Sequence, residues 1–273
     1  MVPALIEVQT APAAQGAIIS GHGQVQQIES LVTSEYNLEV AVLVGSFIYF
    51  DIISCASARS YHALPLDHKV LLERADIHLE TLTGCQNWAI SYILEVSMLD
   101  SWRKEAERSR QLSIVELARR GGEIEKRLRQ RLADSENNLS MKLFELTPAP
   151  TCEITNLFAL STMTYLHVVM SGAYPELPEV RESVSKTVYY FQRLTDPKLL
   201  RHVVWPFCIT GCLALEGQQA IFRDLLSAAE ITESSIGTCF EAFRVVEECW
   251  KSREANCDWG SAMGKLGRYI LLS

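Results

Sequence analysis

The stretch HVVWPFCITGCLALEGQQAIFRDLL, from His202 to Leu226, sets a histidine and a Trp-Pro pair ahead of two cysteines four residues apart. Imidazole and thiolate are zinc's preferred ligands, so His202, Cys208 and Cys212 are candidates for a metal site. They lack a fourth ligand nearby and the usual short Cys-x-x-Cys arm. As a redox pair the two thiols lack a local cation to favour the thiolate. A buried helix remains: Phe207 to Leu215 offers no polar face, and cysteine is among the residues most often found fully inside. Pro206 suits the first helical position, where its missing amide would be unpaired anyway. Cys208 and Cys212 then read as small core side chains, and neither a metal nor any other cofactor is expected.

Other residues with chemical potential are scattered. His78-Leu79-Glu80 matches half of a zinc deaminase signature, but no Pro-Cys-x-x-Cys follows. No G-x-S-x-G, H-E-x-x-H, phosphate-binding loop or dinucleotide fingerprint occurs. Asp51, Glu95 and His167 stand out as polar groups set in apolar helices. Facing a common cavity, they would orient a ligand or act as acid and base; facing apart, each caps the backbone or pairs with a neighbour. The run RRGGEIEKRLRQR, Arg119 to Arg131, concentrates positive charge and could meet phosphate or an importin. Its interspersed Glu123 and Glu125 and its leucine stripe favour a solvated helix face.

Composition narrows the class. A net charge of -8 argues against a surface built to hold nucleic acid, because non-specific affinity comes from clustered Lys and Arg. The eight cysteines include no Cys-x-x-Cys, which suits free thiols in a reducing compartment better than a secreted disulfide framework. No Lys or Arg precedes Arg59, so the early positive charge of a basic arm, presequence or signal peptide is missing.

The elements that must position these residues are helical. Residues 1–23, rich in Ala, Gly and Pro, are expected to be a mobile tail, and residues 24–273 one domain. The segment Leu38 to Ala58 raises a membrane span, but its apolar run reaches only from Val40 to Phe50, short of the roughly 18 residues a span needs. Asp51 would then fall near the bilayer centre. Thr83-x-x-Gln86 and Ser113-x-x-Glu116 have the spacing of helix-starting capping boxes. Ile124, Leu128 and Leu132 recur on one face after Gly121-Gly122, which is expected to interrupt or kink the helix. Asn156 to Gly172 is apolar on most faces and reads as an interior helix. The tryptophans at 88, 102, 205, 250 and 259 are expected to anchor the core. Strand signals are almost absent, so the fold class is all-α, a bundle or superhelix of roughly eight to ten helices.

Five motifs in order then carry a family resemblance. VVWPFCITGCLA resembles the Trp-Pro-centred motif of the fungal-specific transcription factor domain, the C-terminal regulatory region of fungal binuclear zinc cluster regulators. LTGCQNWAISYILEVSMLDSW resembles that domain's early helix, and GGEIEKRL its Ile-Glu-x-x-Leu helix. TYLHVVMSGAYPELPEV resembles its Tyr-Leu-His segment, and VVEECWKSREANCDWGSAMGKLGRYILL its closing Trp and Asp-Trp elements. The six-cysteine cluster and basic linker typical of such regulators do not occur within these residues. The resemblance implies an effector module, nuclear, controlling a metabolic or secondary-metabolite pathway. Such a module would respond to a small apolar ligand or to a partner, as a homo- or hetero-dimer with a regulator, without binding DNA or a membrane itself. The alternative is a cytoplasmic enzyme or small-molecule-binding protein that has reused the fold, with Asp51, Glu95 and His167 as its first candidate residues.

Overall fold

The computed structural model describes residues 37–60, 67–74, 77–141, 149–252 and 256–273. The expected tail, 1–23, lies outside them. In chain order the helices are α1 (Asn37–Ala58), α2 (His68–Arg74), α3 (Glu80–Thr83), α4 (Asn87–Arg108), α5 (Ile114–Met141), α6 (Ala149–Ser171) and α7 (Pro178–Phe191). A 3-10 turn (Pro197–His202) follows, then α8 (Val204–Cys212), α9 (Glu216–Ala228), α10 (Cys239–Lys251) and α11 (Trp259–Lys265). No strand occurs among the described residues, so the all-α expectation holds. Apart from the single turn α3 and the 3-10 turn, the helices among the described residues fall within the roughly eight to ten expected.

Helix α6 forms the axis. Every residue from Ile154 to Val169 is buried, so the helix has no solvent face, as its apolar sequence requires. Helices α4, α5, α7 and α8 pack around it. α8 passes on to α10, and α11 closes against α1, α8 and α10. On α5 the stripe of Ile124, Leu128 and Leu132 is buried as its spacing predicts.

Several local expectations change. Ser113 does cap α5, its Oγ accepting from Glu116 N at 3.2 Å. Thr83 does not cap α4, because α3 ends at Thr83 and its Oγ1 accepts from Cys85 N instead. The amide of Gln86 donates to Thr155 Oγ1 on α6 at 3.1 Å. Gly84 between α3 and α4 has φ +75, and a Cβ there would stand 2.6 Å from Ile154, so both backbone and packing demand glycine. Gly121-Gly122 does not interrupt α5, which runs through both. A Cβ on Gly121 would lie 2.4 Å from Met170 Sδ, so this glycine lets α5 approach α6 closely. Pro206 is the third residue of α8 rather than the first, still within the turn whose amides have no helical partner.

By length and composition Glu39–Ala58 could cross a membrane, but half of it is buried inside the fold. Ile48, Ile52, Ile53 and Ala56 join the core, and Asp51 Oδ2 pairs with His68 Nε2 at 2.7 Å. Leu43, Phe47 and Phe50 remain exposed on its outer side.

Candidate functional site

The Trp-Pro segment is core. Every residue of α8 is buried, Cys208 and Cys212 included, whereas His202 at the end of the 3-10 turn is exposed. The three therefore do not converge on one point. Cys208 Sγ donates to Ala242 O on α10 at 3.8 Å, and burial pushes the Cys212 thiol well above its ordinary range. That burial holds the Cys212 sulfur as the thiol. Among the described residues no three His, Cys, Asp or Glu side chains are grouped as a metal site requires.

Asp51, Glu95 and His167 do not share a cavity. Asp51 is held by His68 of α2. Glu95 of α4 accepts from Lys69 Nζ at 3.2 Å and from Arg127 Nη2 at 2.5 Å. Burial favours its neutral acid, but the hydrogen bond and charge of Arg127, with Lys69, outweigh that and hold the Glu95 carboxyl below the usual range. Both carboxylates thus join α2 to neighbouring helices.

The basic run is engaged rather than presented. Arg119 pairs with Glu116 and Glu123, Arg129 with Glu125, and Arg120 with Glu116. Arg120 also lies 4.3 Å from the Trp102 ring centroid, Arg127 5.8 Å from Tyr92, and Arg131 5.3 Å from Trp88. These contacts form a cation–π ladder between α4 and α5. Trp88, Trp102 and Trp250 are accordingly half-buried at the edge of the core, whereas Trp205 and Trp259 are fully inside.

His167 faces a cavity. The cleft lies between α5, α6 and α7 and has a volume of about 180 Å³. Leu132, Leu160 and Met163 supply its apolar wall, and Ser183 stands with His167 at its polar end. Arg129, Glu179, Glu182 and Lys186 rim it, so charges of both signs balance at the mouth. His167 is 3% exposed. Its Nδ1 lies 3.3 Å from Ser183 Oγ. Its Nε2 makes no hydrogen bond, although Glu125 Oε1 stands 3.5 Å away, within reach of an ion pair but misaligned for a hydrogen bond. Burial favours the neutral Glu125 acid, but the Arg129 guanidinium, with the neighbouring His167, overcomes it and holds the carboxyl below its usual range. Glu179, in the first turn of α7, is lowered by its own amide and by Ser171 Oγ at 2.8 Å.

Ser183 and Glu125 were not singled out from the sequence. Ser183 had a signal: it sits at helical spacing among Val180, Val184 and Thr187, a polar residue on a face that is otherwise buried. Glu125 had none beyond its place in a charge run.

The described residues form an all-helical domain whose Asp51 and Glu95 carboxylates tie helices together, with a small cleft that ends on a histidine. The chain belongs to the family of the fungal specific transcription factor domain, which matches residues 14–273. It is 34% identical over 255 residues to the trichothecene biosynthesis transcription regulator TRI10 of Fusarium sporotrichioides, covering 89% of this chain and 57% of that protein. To TRI10 of Trichoderma arundinaceum it is 33% identical, covering 83% of this chain and 51% of that protein. To the ustiloxin B cluster transcription factor ustR of Aspergillus flavus it is 32% identical, covering 82% of this chain and 41% of that protein. The chain thus spans about half the length of the curated relatives it matches. No solved structure matches it. The resemblance read from five ordered motifs is borne out, and with it the helical architecture.

Proposed function

We propose that this chain is a transcription-regulatory module that acts in the nucleus to control a set of secondary-metabolite genes. The observation that carries the reading is the alignment of more than four-fifths of the chain with regulators named for trichothecene and ustiloxin clusters. The enzyme alternative finds no such support, since the relatives named above are all transcription regulators. The module responds to a small apolar ligand or to a partner regulator by a shift between helix packings. It does not itself grip DNA. A net charge of -8 opposes a phosphate field, and five arginines of its one basic run are already paired with carboxylates or aromatic rings.

Fusion of the full chain to a heterologous sequence-specific DNA-binding module tests the reading. Reporter transcription should differ about tenfold or more from that given by the DNA-binding module alone, a change in the range of ordinary coupling free energies. Reporter output identical to the module alone would sink it. In a gel-shift titration the isolated chain should give no sequence-dependent retardation below about 1 μM, the tight end of non-specific affinities. Tight, sequence-selective retardation would refute the statement that the chain leaves DNA contact to others.

A further inference from the structure

We propose that the outer face of α1 is a dimer interface, packed against the same face of a second copy of this chain with the two helices antiparallel. This deepens the regulatory reading by naming its partner, and rests on it for biological use.

Leu43, Phe47 and Phe50 follow the i, i+4, i+7 spacing that lines side chains along one side of a helix, and they are 56%, 57% and 43% exposed. Val42 beside them is exposed as well. Single exposed apolar side chains are ordinary, but a contiguous row of them marks a surface made to be covered. No charged residue stands between Glu39 and Asp51 in the sequence, and Asp51 turns inward to His68. The hydroxyl of Ser46 is satisfied within the helix, donating to Val42 O at 2.8 Å, so covering it forfeits no hydrogen bond. Tyr49 meets the Phe50 ring edge-on with centroids 5.6 Å apart, which orders that ring before association.

The order of residues makes this face complementary to itself, as a two-fold interface requires. With the axis beside Phe47, Leu43 of each copy meets Phe50 of the other, and the two Phe47 rings meet. Glu39 of each copy then lies against Ser54 of the other, an exposed hydroxyl that can donate to the carboxylate. A parallel pair would instead set Glu39 against Glu39 and align the helix dipoles unfavourably. Two copies of net charge -8 repel one another, and this pairing keeps its two Glu39 carboxylates at opposite ends. Val42, Leu43, Phe47 and Phe50 together expose on the order of 350 Å² per copy, from the usual areas of such side chains. With Ser46 and Ser54 at the margins, the two copies bury about 1,000 Å², the lower bound for a specific interface, so the dimer is a weak one.

In sedimentation equilibrium of the full chain, the average mass should rise with concentration from 30.6 kDa toward twice that value. The dissociation constant should be on the order of 10 μM, the weak end for specific interfaces. Phe47→Glu, which sets two carboxylates at the axis, should weaken dimerisation at least about 30-fold with the thermal melt unchanged. Ile236→Glu, at a 96% exposed residue before α10, should leave it unmoved. Leu43→Lys and Phe50→Glu should each weaken it, and the two combined should restore it in part, because opposite charges then face each other across an antiparallel pair. A mass fixed at 30.6 kDa up to about 100 μM, ten times the expected constant, would overturn the proposal and leave the face to another segment or partner. Flotation of a monomer with phosphatidylcholine vesicles would overturn it in favour of a lipid surface. Equal losses in Ile236→Glu and Phe47→Glu would reduce the association to unspecific adhesion, and no rescue in the double variant would refute the antiparallel pairing. Should Phe47→Glu fail to fold, the concentration series and the double variant still decide. The reporter fusion reads transcription and the centrifuge reads mass, so the regulatory reading and this one fail separately.

Discussion

Trp205→Ala is expected to lower the stability of the domain by about 3 to 5 kcal/mol, the range for truncating a fully buried aromatic residue. Trp205 is 0% exposed, at the start of α8. Its ring stacks on Phe158 with centroids 6.1 Å apart and planes 5° from parallel, and meets the edge of Tyr165, also at 6.1 Å. Tyr165 in turn meets Trp259 at 5.4 Å, so one indole joins the axial helix to α8 and, through Tyr165, to α11. Trp205 Nε1 makes no hydrogen bond, so truncation removes packing alone. The surrounding helices cannot collapse into the space without separating these rings, which places the cost near the upper end of large-to-small changes. Trp205→Phe, which keeps a ring against Phe158 and deletes the orphan N–H, should cost less than half as much. For a chain of this length the alanine variant should melt on the order of 10 °C lower. A thermal or urea transition unmoved by Trp205→Ala would remove the Trp-Pro segment from the core.

What could be read from residues alone divides along a physical line. Features decided within one helix were legible: the burial of α6 from its lack of a polar face, the stripe on α5, and the Ser113 cap. Features decided by a second helix were not. Thr83-x-x-Gln86 matches a capping box by spacing, but the hydroxyl of Thr155, distant in sequence, takes the Gln86 amide. Gly121 reads as a helix breaker because nothing local reveals Met170 pressing on that position. Trp88 and Trp102 read as core anchors because the arginines that cover them lie on another helix. The three polar candidates share a chemical type, which is visible, but not a direction. His167 faces a cleft while Asp51 and Glu95 are tied to α2, a distinction set only by the neighbours of α1, α4 and α6.

Arg59→Ala should cost about 3 kcal/mol at neutral pH, because it strips a guanidinium from a carboxylate that is nearly inaccessible. Arg59 follows α1 with a left-handed backbone, φ 50, which turns its side chain inward. Nε donates to Asp100 Oδ2 at 2.9 Å and Nη2 to Asp100 Oδ1 at 2.6 Å, a two-pronged contact with a side chain only 2% exposed. Nη1 pairs with Asp258, whose Oδ1 caps α11 by accepting from Ser261 N at 2.7 Å. One cation therefore ties α1, α4 and the start of α11. Lys104 stays 3.1 Å from Asp100 after the substitution, which keeps the loss from reaching the top of the range for a broken buried pair. Arg59→Lys should recover only part of the stability, since an ammonium cannot engage both Asp100 oxygens and Asp258 with a planar fork. The pH dependence has a definite sign. Burial works to raise the Asp258 carboxyl, but the charge of Arg59 and the Ser261 amide prevail and depress it. A carboxyl depressed in the folded state stabilises the fold above its unfolded value, about 3.9, and that contribution is lost as pH falls through the lower folded value. The stability gap between the native chain and Arg59→Ala should thus be full near pH 7 and narrow below about pH 4. Urea titrations at several pH values measure it. A gap that stays constant down to about pH 3 would mean that the loss comes from the guanidinium packing 5.7 Å from the Trp259 ring centroid rather than from its charge.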